Sequence, residues 1–145
     1  MVPPPLVFLG YLVGALILNW AVPFPTPWML NLRIIGGLAL AVGITLIGSA
    51  FSQMRNAHTT PDASQPTMAL VSTGPYRFTR NPIYLGFLLI FLGFTLLAAT
   101  LWGLLLSPFL VLTITRAVIY FEEEYLKNKF MDEYTSYSSR VRRWI

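Results

Sequence analysis

The chain has 145 residues, 55% of them hydrophobic and only 11% charged, with a mean hydropathy of +0.62 and a net charge of +4. Soluble domains carry about 25% charged residues, so the composition does not fit a water-exposed globule and describes a small membrane protein, read as one domain over 1–145. No cysteine is present and His58 is the sole histidine, which argues against disulfides, thiolate chemistry, metal cages and a His-driven triad.

Charge-free runs set the organisation. Met1–Leu32 and Ile34–Met54 carry no charged side chain, and Asn81–Thr115 is uncharged for 35 residues. As one rod that last run would be roughly 52 Å long, against a hydrocarbon core of about 30 Å, so it must turn back near Ala98–Gly103. The sequence predicts an all-α fold of four membrane helices at 6–22, 34–52, 82–98 and 102–121, the last two forming a hairpin.

The first helix ends at Pro23, Pro25 and Pro27, and Gly10 with Gly14 makes a small-xxx-small pair suited to close packing in the bundle or in a homodimer. Arg33 alone lies between helices one and two, whereas Arg55, Arg77 and Arg80 precede helix three and five basic residues follow helix four. That bias predicts cytoplasmic termini in a bacterial inner membrane. It also accounts for the pI near 9.7, so no nucleic-acid partner is needed.

Helix three opens at Asn81-Pro82, with Asn as N-cap and Pro at the first helical position, and Pro108 should bend helix four. The cytosolic loop, 53–81, ends in Gly74-Pro75-Tyr76-Arg77-Phe78-Thr79-Arg80 directly before that helix N-terminus. Two readings fit this segment: a basic interfacial turn, or a loop that receives anionic groups.

Arg116 lies inside the fourth apolar run, Tyr120 at i+4 and Glu123 at i+7. On a regular helix these share a face, so a cation and a carboxylate could hold opposite ends of a polar ligand. The alternative is that Arg116 snorkels to headgroups while the glutamates are solvated. Leu126, Phe130, Tyr134, Tyr137 and Val141 form one apolar stripe, predicting an amphipathic helix over 122–139 that lies on the bilayer or folds back over the loop. Arg140, Arg142, Arg143 and Trp144 read as an interfacial anchor.

The run Gly74-Pro75-Tyr76 through Arg80-Asn81-Pro82-Ile83-Tyr84-Leu85-Gly86 resembles the signature of the isoprenylcysteine carboxyl methyltransferase family, in its bacterial branch related to phospholipid methyltransferases. Glu122-Glu123, Leu126, Phe130, Tyr134 and Tyr137 are similar to that family's closing motif, and the two motifs span about half the chain. Met131 departs from the pattern, which has Gly after the Phe, and Asn81 stands where prenylcysteine enzymes commonly have His.

The resemblance implies a membrane methyltransferase that uses S-adenosyl-L-methionine, with Tyr76, Arg80, Asn81, Pro82, Tyr84, Glu123 and Tyr134 lining the cofactor pocket. Arg116 is placed like a family arginine that meets the acceptor, here an amphiphilic or small molecule, and Glu123 is the candidate for meeting the cofactor's amino group or for holding Arg116. No metal is implied. The acceptor could be a carboxylate, as in isoprenylcysteine O-methylation, a phospholipid amine or a small thiol. A four-helix exporter would need a mid-membrane acid, and all six acids lie outside the spans. A non-catalytic membrane subunit is the remaining reading.

Overall fold

The computed structural model describes residues 3–59 and 68–145, and among these the chain is helical with no strand. Most of the loop stretch 56–68, whose order the sequence leaves open, lies outside the described residues. Helix α1 spans Pro4–Ala21 and α2 Arg33–Asn56. Helices α3, Pro82–Leu97, and α4, Leu101–Ile114, form the expected hairpin, turning at Ala99 with φ 49°. A π-helical stretch, Thr115–Ile119, joins α4 without a break to α5, Tyr120–Arg140.

Among the described residues, three helical stretches are long and apolar enough to cross a membrane: α1, α2 and the run Leu101–Arg140, whose apolar part precedes Glu122. The fourth apolar helix, α3, has 16 residues and would rise about 24 Å, somewhat less than the hydrocarbon core of about 30 Å. Ile17, Leu38 and Ile44 are each about 60% exposed, an arrangement that suits lipid and would be costly in water. This is an all-α membrane protein.

Helix α2 packs most extensively against α3. The reason is a seam of glycines spaced by seven on both helices. A Cβ at Gly43 would stand 2.7 Å from the Gly86 carbonyl oxygen, and one at Gly36 2.9 Å from that of Gly93. Removing side chains there lets the two backbones touch, the usual means of holding helices together where lipid supplies no hydrophobic drive. The Gly10 and Gly14 pair is not where the bundle closes: a Cβ at either would meet nothing within 4 Å.

Helix α1 leans on the hairpin. Tyr11 and Thr113 share a 2.8 Å hydroxyl bond, and Phe8 stacks on Phe87 with centroids 5.3 Å apart. Phe8, Phe91, Leu110, Ile114, Val118 and Ile119 form the buried core. At the far end Thr26 donates to the Ala99 carbonyl and the Trp102 indole to that of Val22, both at 2.8 Å.

Pro108 lies inside α4 and removes the amide that would bond to the Leu104 carbonyl, but the Ser107 hydroxyl donates to that oxygen at 2.8 Å and compensates. Regular α geometry gives way further on, at Thr115–Ile119. Helix α5 is broken at Met131, whose φ of 43° and ψ of −113° are not helical. The amphipathic segment expected over 122–139 is therefore two helical pieces meeting at an angle.

Candidate functional site

The site is built where the loop before α3, the first turns of α5 and the chain end converge. Gly74 has φ +58°, open to glycine without strain, and a Cβ there would stand 2.8 Å from the Gln53 side chain. This turn starts the short helix Gly74–Arg77 and buries Tyr76, whose carbonyl accepts the Tyr137 hydroxyl at 2.7 Å. Burial, with Tyr137 and Glu122 nearby, pushes the Tyr76 phenol well up. Tyr137 is likewise raised, mainly by burial.

Arg80 follows at the mouth of α3. Its Nη1 lies 3.2 Å from Glu123 Oε1 and 3.2 Å from the Tyr134 hydroxyl. One guanidinium nitrogen thus joins two residues eleven apart on α5. On a straight helix their Cα atoms would be about 16 Å apart; the break at Met131 turns the second piece back and brings Tyr134 in. Burial and the Glu123 charge raise the Tyr134 pKa, opposed by Arg80. The Arg80 Nε is buried and has no acceptor among the described residues.

Glu123 is also held by Arg143, whose Nη2 and Nε donate at 2.7 and 3.0 Å. That fork is the first cause of a raised Arg143 pKa. Next to it, the Tyr84 hydroxyl donates to Glu122 Oε1 at 2.6 Å. Burial raises the Glu122 pKa; the Tyr84 bond opposes this and the Glu123 charge adds to it.

The chain end forms a strap over these groups. The Arg142 carbonyl accepts the Arg80 amide at 3.0 Å, and the Arg143 carbonyl accepts the Thr79 hydroxyl at 3.2 Å and the Asn81 side-chain amide at 3.0 Å. The Trp144 indole donates to Thr115 Oγ1 at 3.2 Å. Arg143 and Trp144, read as part of an interfacial anchor, are instead packed on the bundle.

Of the residues singled out in the sequence, Tyr76, Arg80, Tyr84, Glu123 and Tyr134 are brought to one end of the bundle. Pro82 opens α3 as expected and is fully buried. Asn81 occupies the N-cap position, but its side chain makes no cap bond and is turned to the Arg143 carbonyl.

Arg116 is exposed in the π stretch, and its side chain makes no hydrogen bond or ion pair among the described residues. Of the two roles read for Glu123, the one in which it holds Arg116 is not formed among the described residues; the π turn adds a residue to the helical period and changes the angle between the two side chains. Glu122, Tyr137 and Arg143 also belong to the cluster. The first two were visible as parts of the glutamate pair and the aromatic stripe, whereas Arg143 had only a basic tail to announce it.

An uncharacterized protein of Haemophilus influenzae is 41% identical over 63 residues, which cover all of that protein and 43% of this chain. No solved structure matches the chain. Residues 32–133, from the start of α2 to just beyond the Met131 break, match the phospholipid methyltransferase family (PEMT); the chain belongs to that family of membrane methyltransferases.

Proposed function

We propose that the protein is an S-adenosyl-L-methionine-dependent methyltransferase acting on an amphiphilic or small acceptor at the cytosolic face of a bacterial inner membrane. The observation that carries the reading is the junction of Arg80, Glu123 and Tyr134 beside the Tyr84–Glu122 pair. The donor set suits this cofactor. The buried Arg80 Nε, without an acceptor among the described residues, can serve the amino-acid carboxylate, and Glu123 the ammonium group. Tyr76, Tyr84 and Tyr134 offer ring faces to adenine or to a sulfonium. When bound, the cofactor supplies an electrophilic methyl group.

The protein's contribution is then orientation and exclusion of water, which can supply about 7–11 kcal/mol of a barrier. Arg116, whose side chain has no partner among the described residues, is assigned to orient an anionic acceptor. An apolar groove of about 190 Å³ between α1 and α3, lined by residues including Phe8, Leu12, Phe87 and Phe94, supports an acceptor with an apolar part. Phe87 lies one turn along α3 from Tyr84.

A carboxylate acceptor, as in isoprenylcysteine O-methylation, needs no general base. A phospholipid amine and a small thiol are the alternatives. In this reading α3 is the fourth span, and the basic clusters put both termini in the cytoplasm.

Calorimetry on detergent-purified protein should show S-adenosylhomocysteine binding. Absence of binding at millimolar ligand would overturn the proposal. Labelled methyl groups appearing in phospholipid, in a protein carboxyl ester or in a volatile product distinguish the acceptors.

A further inference from the structure

Glu123 lies between two guanidiniums from separate parts of the sequence, one mid-chain and one near its last residue. Arg80 reaches it from the loop before α3 at 3.2 Å, and Arg143 from the chain end at 2.7 and 3.0 Å. The Glu123 side chain is only 15% exposed and that of Arg80 16%, so this is not a solvated surface pair of negligible worth. Arg143 is 38% exposed and covers the carboxylate from outside. A planar fork sets both the position and the rotation of the carboxylate it binds.

The main chain of the same residues acts on the loop. The carbonyls of Arg142 and Arg143 take the Arg80 amide, the Thr79 hydroxyl and the Asn81 side chain. Trp144, bonded to Thr115, secures the strap to the π stretch. One segment of chain therefore fixes both a carboxylate on α5 and the three residues that immediately precede α3.

We propose that Arg143 is a positioning residue of the cofactor site. It holds Glu123 in the orientation in which that carboxylate receives the cofactor's ammonium group, and its strap holds residues 79–81 against it. This rests on the reading of Glu123 as a cofactor contact. Lysine brings the charge without the fork, so it replaces Arg143 only in part.

The experiment compares S-adenosylhomocysteine affinity by calorimetry in the full-length wild type, Arg143→Lys, Arg143→Ala, Glu123→Gln and the Arg143→Ala/Glu123→Gln double variant. Amide exchange over residues 79–81 is followed in parallel. Arg143→Ala should weaken binding about tenfold, the loss of one charge-assisted contact, with Arg143→Lys between it and wild type. In the Glu123→Gln background the same alanine should cost less than about twofold, since coupled residues are not additive.

Equal losses in both backgrounds would show that Arg143 does not act through Glu123 and would overturn the proposal. So would unchanged affinity in Arg143→Ala. If the wild type binds no S-adenosylhomocysteine, the cofactor reading falls and takes the ligand-orienting role with it. The hold on the loop is then judged by exchange alone: faster exchange at residues 79–81 in Arg143→Ala supports it, and unchanged exchange overturns it.

Discussion

Tyr84, one turn into α3, donates its hydroxyl to Glu122 Oε1 at 2.6 Å across 38 residues of sequence. This bond joins the start of the α3–α4 hairpin to the helix that leaves it. It also lies next to Glu123, so one first turn of α5 presents two carboxylates with different partners: a tyrosine for one, two arginines for the other.

The Glu122 carboxyl, raised chiefly by burial from a usual value of 4.5, holds a proton more readily in the folded protein. An acid of this kind favours the fold below pH 4.5, and that contribution is lost as pH rises through the raised value. Glu122→Gln keeps an acceptor for Tyr84 and removes the titration. Thermal unfolding in detergent between pH 4 and 8 should show the variant gaining on wild type as pH increases. A constant difference would contradict this.

The glycine seam should be intolerant of side chains. Gly43→Ala places a methyl 2.7 Å from the Gly86 carbonyl oxygen and should cost about 1–3 kcal/mol through overpacking. Gly10→Ala, with open space around it, should be neutral or stabilising by about 0.5–1 kcal/mol from helix propensity. Unfolding midpoints of the two variants check the contrast.

Met131 has a positive φ that a side chain adopts only with strain. Such strain costs about 1–3 kcal/mol, partly offset in a glycine variant by its greater chain entropy. Met131→Gly should therefore raise stability by about 1 kcal/mol without altering helix content by circular dichroism.

Arg116→Ala should retain S-adenosylhomocysteine affinity and lose turnover, about tenfold or more for a charge-assisted acceptor contact. Parallel loss of cofactor affinity would assign Arg116 to the cofactor instead.

The absence of native cysteine allows a direct check of orientation. With single substitutions Asn31→Cys and Ser139→Cys, both at exposed positions, an impermeant thiol reagent applied to intact cells should label the first and not the second.

Helix positions were legible because they depend on local quantities. Charge-free runs and prolines placed the first three apolar helices, and the start of the fourth, within a few residues of where they form; the fourth, read as 102–121, is α-helical to Ile114 and continues as the π stretch. The residue types and order of the two polar motifs were also readable, since they are properties of the chain itself. The face shared by Arg116 and Glu123 was read from an α-helical period across Thr115–Ile119, where the backbone is π-helical, a departure that no local pattern announces.

By itself, then, the sequence determined that this is an all-α membrane protein, roughly where its helices lie and which two segments hold most of its polar residues. Only the tertiary structure decided which polar groups meet. The turn at Met131, the glycine seam and the return of Arg143 to Glu123 each join residues far apart in sequence, and contacts of that kind depend on shape and on the satisfaction of buried charge, which no local periodicity records.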